Sequence, residues 1–141
     1  MAYSLSFSKS IIVLIFISDK KRQEQFEYLS TQMIARIINI PKPTLVKILQ
    51  HLSMAGLIET KEGKSGGIRL AKKPSEITVL DILEAVERKK PLFNTSFDIL
   101  ANAERPDKAQ ASIRALLNEA ETKMKASLAT KTLEDILIEM D

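Results

Sequence analysis

STQMIARIINIPKPTLVKILQHLSMAGLIETKEGKSGGIRL, residues Ser30–Leu70, is the stretch that decides the fold. Ser30 is a candidate N-cap for a helix that runs through Ile38. Asn39 follows, and asparagine tolerates the left-handed backbone conformation of a tight turn between helices. A second helix is expected to open with Pro43, because a proline in the first turn of a helix costs little. This order predicts a helix-turn-helix.

Apolar residues in these two segments indicate how the helices pack. The second helix is expected to run to about Ala55, where Gly56 stops it. Ala35 is small enough to let the two helices approach closely. An ordinary helical hairpin in an unrelated core is the alternative. The inner face of the second helix is predicted from residues three and four apart: Leu45, Ile48, Leu49 and Leu52.

A short β-hairpin is predicted after the second helix. Ile58 and Thr60 alternate with polar neighbours, as do Ile68 and Leu70 beyond the tip. Ser65–Gly67 is expected to supply positive-φ positions at that tip, where side chains would clash. All four glycines fall within twelve residues, which suits a thin wing that lies close to another molecule. The alternative is a plain hairpin whose glycines serve only the turn. With the two helices, the hairpin predicts a winged helix-turn-helix.

Positive charge is concentrated in the same part of the chain. Residues 42–73 carry seven Lys/Arg and two acidic residues, whereas the remainder carries 14 Lys/Arg and 16 acidic residues. A basic segment on a near-neutral body favours a polyanionic partner. A solvated surface is the alternative, but these lysines flank a defined structural motif.

Cysteine and histidine usage excludes several classes of function. The chain has no cysteine and a single histidine, His51. Disulfides, thiolate metal sites and thiol redox sensing are therefore excluded. A histidine-based metal site or a Ser-His triad is not expected. No phosphate-binding glycine motif opens a helix, so we expect no enzyme, no metal and no cofactor.

An apolar run near the N-terminus, Ile11–Ile17, is interpreted as a buried first helix. Periodicity cannot separate a buried helix from a buried strand here, and the predicted domain needs a helix. Seven residues are too few to cross a bilayer, and no small-residue cleavage site follows. A cytoplasmic protein is expected.

The chain is expected to divide into three parts. Residues 1–87 form the winged helix-turn-helix domain, which ends in a helix capped by Thr78 with Asp81 as the capping-box partner. Residues 88–106 interrupt the periodicity and are interpreted as a connector, with room for one helical turn around residues 97–103. The remainder, residues 107–141, is expected to hold a dimerisation helix and a short C-terminal helix.

The dimerisation helix is predicted over residues 107–128, which contain neither glycine nor proline. Such a helix is about 33 Å long, too long to bury an apolar stripe against so small a domain. Thr132 and Asp135 form a second capping box, which opens the short helix Leu133–Met140. The stripe consists of Ala109, Ile113, Leu116, Leu117, Ala120, Met124 and Leu128, and all but Ala109 are candidate dimerisation residues. The expected fold class is therefore mainly α with a small two-stranded β-wing: a winged helix-turn-helix domain plus a long C-terminal dimerisation helix.

The face of the second helix opposite the core is the candidate DNA-reading surface. Gln50 suits the edge of adenine, and Lys47 suits guanine acceptors or phosphate. Thr44 and the helix N-terminus suit a phosphate, and Val46 suits a thymine methyl group. His51, at the margin, is interpreted as a packing residue. The full set of candidate DNA-binding residues is Lys42, Pro43, Thr44, Val46, Lys47 and Gln50 of this helix and Lys61 and Lys64 of the wing.

The chain from "LSTQMIARIINIP" to "VLDILEAVE" resembles the Rrf-type (IscR/NsrR/CymR-like) family of bacterial winged-helix transcriptional regulators. The most specific part is the pattern "AGLI…G…GG…L…P" followed by "DI..AVE", and "ALLNEAETKMKASLATKTLEDI" resembles that family's dimerisation helix. The cysteine-poor YwnA-type branch is the most similar. This resemblance implies a cytoplasmic homodimer that binds double-stranded operator DNA, usually as a repressor.

Three departures from the family pattern qualify the resemblance. Cluster-binding members carry three cysteines in the segment that matches about residues 92–111, and this chain has none, so an iron–sulfur cluster is not expected. Glu62 stands where the family's wing often has an arginine, and Pro41 stands where it has a serine. A winged-helix module that binds proteins and has lost DNA binding is therefore the alternative. The resemblance gives no small-molecule effector.

Overall fold

The computed structural model describes residues 5–23, 27–99 and 103–141. A single-turn 3-10 helix, Pro74–Glu76, follows the hairpin. The described residues are mainly helical and form one two-stranded sheet. The predicted fold class is therefore confirmed. The elements, in chain order, are α1 (Leu5–Arg22), α2 (Thr31–Ile38), α3 (Lys42–Met54), β1 (Ile58–Lys61), β2 (Gly67–Leu70), α4 (Val79–Glu87), α5 (Glu104–Leu128) and α6 (Leu133–Glu139).

Helix α1 forms the centre of the core, as the interpretation of the N-terminal apolar run predicted. Val13, Leu14 and Ile17 are buried, and α1 packs against α4, β2 and α6. Two buried serines bond within the helix: the hydroxyls of Ser10 and Ser18 donate to carbonyl oxygens four residues earlier. In the described parts of the chain, every helix is too short or too polar to cross a membrane.

The capping signals in the sequence operate as predicted. The hydroxyl of Ser30 accepts a hydrogen bond from the Met33 amide. Asn39 adopts the left-handed conformation, with φ 59° and ψ 48°. Capping boxes with both reciprocal hydrogen bonds open α4 at Thr78 and α6 at Thr132. These local bonds define where three of the helices begin.

Helix α3 is held in place by its predicted inner face. Its four apolar residues, Leu45, Ile48, Leu49 and Leu52, are all buried. Gly56 follows the helix with φ +76°, a conformation that glycine adopts without steric cost. The chain then enters β1, which pairs antiparallel with β2 so that Ile58 lies opposite Leu70 and Thr60 opposite Ile68.

The wing is joined to the domain by a third backbone segment. Leu29 and Ile68 exchange two backbone hydrogen bonds, of 2.9 Å and 2.7 Å. Gly67 permits this approach, with φ +146° and its backbone against that of Leu29. Within Ser65–Gly67, the positive-φ position expected from the sequence is supplied by Gly67, and Gly63 supplies another at the tip. Gly66 is needed because a Cβ atom there would overlap the backbone of Lys61.

The C-terminal half differs from expectation at its first boundary. Helix α5 begins at Glu104, three residues before the predicted start, because Pro106 lies in its first turn, where a proline is tolerated. Residues 97–99 of the predicted helical turn are not helical, and residues 100–102 lie outside the described residues. Helix α6 returns to the domain and buries Leu133 and Leu137.

Candidate nucleic-acid interface

The outer face of α3 is exposed along its whole length. Lys42, Pro43, Lys47 and Gln50 are exposed, and 39% of the surface of Val46 is accessible. Thr44 is half-buried in the first turn of the helix. Because the opposite face of α3 is locked into the core, these side chains are displayed from a rigid support. Pro41, the N-cap residue, makes no side-chain capping bond.

An aromatic and ionic cluster covers the outer face of the wing. The Arg69 guanidinium lies 4.7 Å from the centre of the Tyr28 ring and bonds Glu59 at 2.9 Å and Glu27 at 3.1 Å. The hydrogen bond to Glu59 raises the pKa of Arg69 above its usual value. The Lys61 ammonium lies 5.4 Å from the centre of the same ring. The positive charge of Arg69 is therefore balanced by the carboxylates of Glu59 and Glu27.

The remaining charged side chains of the wing are exposed at its tip. Lys64 and Glu62 are both exposed, in the turn between β1 and β2. Lys61 is exposed as well, but its ammonium lies over an aromatic ring and must leave it to reach a phosphate. Of the two predicted wing contacts, Lys64 therefore has the freer side chain.

A groove of about 670 Å³ separates α3 from the wing. Val46, Gln50 and His51 line it from α3, and Thr60 lines it from β1. Arg88, just beyond α4, lines the same groove. The structure thus brings two predicted base-reading residues, Val46 and Gln50, to one concave surface. Sequence reasoning missed Arg88 because it follows the predicted domain boundary.

The residues of the apolar stripe of α5 differ in how far they are exposed. None of the 25 residues of α5 is buried. Leu116 is 64% exposed and Ile113 46% exposed, and Ala120 is exposed beside them. In contrast, Leu117, Met124 and Leu128 are half-buried. Helix α5 meets its own domain beside this half-buried edge, where the Lys125 ammonium pairs with Glu84 at 3.2 Å.

The chain lacks the side chains that usually bind an iron–sulfur cluster. Thiolates are the usual ligands of such clusters, and the chain has no cysteine and one histidine. Within residues 5–23, 27–99 and 103–141, no group of three or more acidic, histidine or cysteine side chains is placed to hold a metal ion.

Two helices joined by a tight turn, a cationic exposed face and a β-wing define a winged helix-turn-helix protein. The Rrf2 family model, described as "Iron-dependent Transcriptional regulator", matches residues 3–139. The chain therefore belongs to the Rrf2 family of transcriptional regulators, which confirms the Rrf-type resemblance. Similarity to the YwnA-type branch stays a prediction.

Individual relatives agree with this assignment. The regulator NsrR of Halalkalibacterium halodurans is 36% identical over 117 residues, which cover 79% of this chain and 75% of NsrR. Protein aau3 of Rhizobium meliloti is 46% identical over 54 residues, but the match spans only 38% of this chain and 35% of aau3. The structure of T. potens IscR superposes with a TM-score of 0.72 at 18% identity, covering 100% of this chain and 89% of IscR. At that identity, the likeness to IscR supports the fold alone.

Proposed function

We propose that this protein is a sequence-specific, double-stranded-DNA-binding transcriptional regulator that acts in the cytoplasm as a repressor. One observation carries the proposal: α3 buries one face completely and displays Lys42, Lys47 and Gln50 on the other, beside a wing. A helix of this kind fits the major groove of B-DNA, which is about 12 Å wide. The proposal includes no catalysis and no iron–sulfur cluster.

Each exposed side chain of α3 has a distinct role in the proposed complex. The Gln50 amide offers a donor and an acceptor, which match the edge of adenine, and Lys47 donates to guanine acceptors. Backbone N–H groups at the start of α3, near Thr44, hold a phosphate. Lys64 contacts the flanking backbone, while the carboxylate of Glu62 opposes entry of the wing tip into the minor groove. Specificity is therefore assigned to α3 and non-specific affinity to the wing.

Two copies of the chain are proposed to act together. Helix α5 is about 37 Å long and leaves Ile113, Leu116 and Ala120 exposed along one line. A second α5 packed against this line would remove the apolar side chains from water. Two-fold pairing places two α3 helices on successive major grooves, so the expected operator is a pseudo-palindrome.

Filter binding of purified protein to a random pool of DNA duplexes tests the proposal. With roughly six to ten phosphate contacts per dimer, affinity is expected to fall ~10³–10⁵-fold between 50 and 200 mM salt. A complex insensitive to salt would contradict the proposal.

A protein-binding module without DNA affinity is the second candidate. The acidic side chain of Glu62 at the wing tip and the uncapped start of α3 at Pro41 favour it. Such a module is expected to retain almost no DNA from the pool even at low salt. The same filter experiment therefore separates the two candidates.

A further inference from the structure

We propose that Arg88 and Lys89, at the C-terminal end of α4, form with His51 a binding corner for one phosphate of the DNA backbone. This inference rests on the proposed function, and it extends the interface beyond the basic segment of residues 42–73. The ligand class is a phosphodiester group, recognised by charge and hydrogen bonding rather than by base sequence.

The three side chains meet at one shallow depression of about 190 Å³. His51 lines it from the last turn of α3, and Arg88 and Lys89 line it from the end of α4. Glu84 lines the same depression, but its carboxylate pairs with the Lys125 ammonium at 3.2 Å. The corner therefore presents two full positive charges and an imidazole, with its one lining carboxylate already paired.

The two cations are not engaged with carboxylates in the part of the chain that the structure describes. There, no salt bridge within 4.0 Å involves Arg88 or Lys89. Arg69 and Arg22, by contrast, each bond two carboxylates. A guanidinium that forms no salt bridge retains its full capacity for bidentate bonding to a phosphate.

The backbone conformation at this corner also favours a role for the side chains. Arg88 and Lys89 both have positive φ, 55° and 60°. Glycine or asparagine is the usual residue where a helix ends in the left-handed conformation, because a Cβ atom is disfavoured there. Two long cationic side chains occupy these positions instead. Backbone strain of this kind is often concentrated at functional sites.

The corner and the predicted DNA-reading face belong to one continuous surface. Arg88 lines both the depression beside His51 and the groove that contains Val46 and Gln50. Lys42, at the opposite end of α3, is nine residues from His51, which corresponds to about 13.5 Å along the helix. Basic side chains therefore lie at both ends of α3, with Lys42 at its start and Arg88 beside its last turn.

The test measures the salt dependence of binding to a duplex of random sequence by fluorescence anisotropy. Arg88→Gly removes the charge and suits the left-handed backbone, so the variant is expected to fold. For each protomer that carries the substitution, the slope of log Kd against log salt is expected to fall by about 1. The affinity at 0.1 M salt is expected to fall roughly eightfold. Arg88→Lys retains the charge and is expected to recover most of the slope. Lys108→Ala is the matched control, because it also removes one positive charge, but from the exposed surface of α5.

Each outcome bears on the corner separately from the proposed function. Equal slopes for Arg88→Gly and Lys108→Ala, with wild-type binding intact, would overturn the corner and leave DNA binding standing. A changed sequence preference in Arg88→Gly would also overturn it, because a phosphate contact reads no bases. If the wild-type protein retained no duplex at low salt, the proposed function itself would fail.

Discussion

Substitution of Gly67 by alanine is expected to break the backbone contact between the wing and Leu29. A Cβ atom at this position would lie 2.6 Å from the carbonyl carbon of Leu29, and that neighbour is backbone, which cannot rotate away. Relief of the overlap would separate Leu29 from Ile68 and break their two backbone hydrogen bonds. Each bond contributes about 1 kcal/mol net, and an alanine at φ +146° adds about 1 kcal/mol of strain. The expected loss is therefore about 3 kcal/mol in the free energy of unfolding.

The assay is thermal unfolding followed by circular dichroism. For a chain of this length, about 3 kcal/mol corresponds to a fall in Tm of about 10 °C. Gly56→Ala is the matched control: Gly56 also has positive φ, but a Cβ atom there has no neighbour within 4 Å. Its Tm is expected to fall by about 3 °C, from backbone strain alone. Equal Tm values for the two variants would refute the argument that position 67 must be glycine because the backbone of Leu29 lies so close.

Three further predictions concern the DNA contacts, the proposed dimer and a helix cap. Lys47→Ala is expected to relax sequence preference, whereas Lys64→Ala is expected to weaken binding to all duplexes about equally; identical binding profiles across a panel of duplexes would refute this division. Leu116→Glu is expected to convert the proposed dimer to a monomer in sedimentation analysis, because a charge would enter the proposed seam. Ala115→Glu, at an exposed position outside the apolar stripe of α5, is expected to leave the mass unchanged, and a dimeric Leu116→Glu would place the seam elsewhere. Thr78→Ala is expected to cost about 1 kcal/mol by opening the α4 capping box; an unchanged denaturant midpoint would contradict that role.

Local signals in the sequence were sufficient to predict most of the winged helix-turn-helix domain. The Ser30 cap, the left-handed Asn39 and the capping box at Thr78 each depend on residues within a few positions of one another. The pairing of β1 with β2 follows from the alternation of apolar residues about a glycine-rich tip. Such signals act before tertiary contacts form, which is why a single sequence reveals them.

Features that depend on distant contacts could not be predicted in the same way. The Tyr28 and Arg69 cluster joins residues 41 positions apart, and no local pattern indicates it. Arg88 and Lys89 carry no glycine or asparagine signal, so their left-handed conformation could not be predicted from the sequence. The early start of α5 was missed because the predicted helix was restricted to residues without glycine or proline, whereas Pro106 lies in the first turn of α5.

The apolar stripe of α5 is another feature that the sequence could predict only in part. Periodicity gives one apolar face, but it cannot show that Leu117 and Met124 lie toward the chain's own domain while Leu116 remains exposed. Which residues of the stripe are half-buried and which are exposed depends on how α5 packs against the domain. That division makes Leu116, rather than Leu117, the cleaner probe of association between two copies.

Selection of binding sites from random oligonucleotides, with the purified protein, tests the central claim most directly. If two copies present their α3 helices to successive major grooves, the selected sites will share a pseudo-palindrome with half-site centres about 10–10.5 base pairs apart, or a multiple of that spacing. Recovery of single, non-repeated sites, or of no enriched sequence at all, would contradict the account.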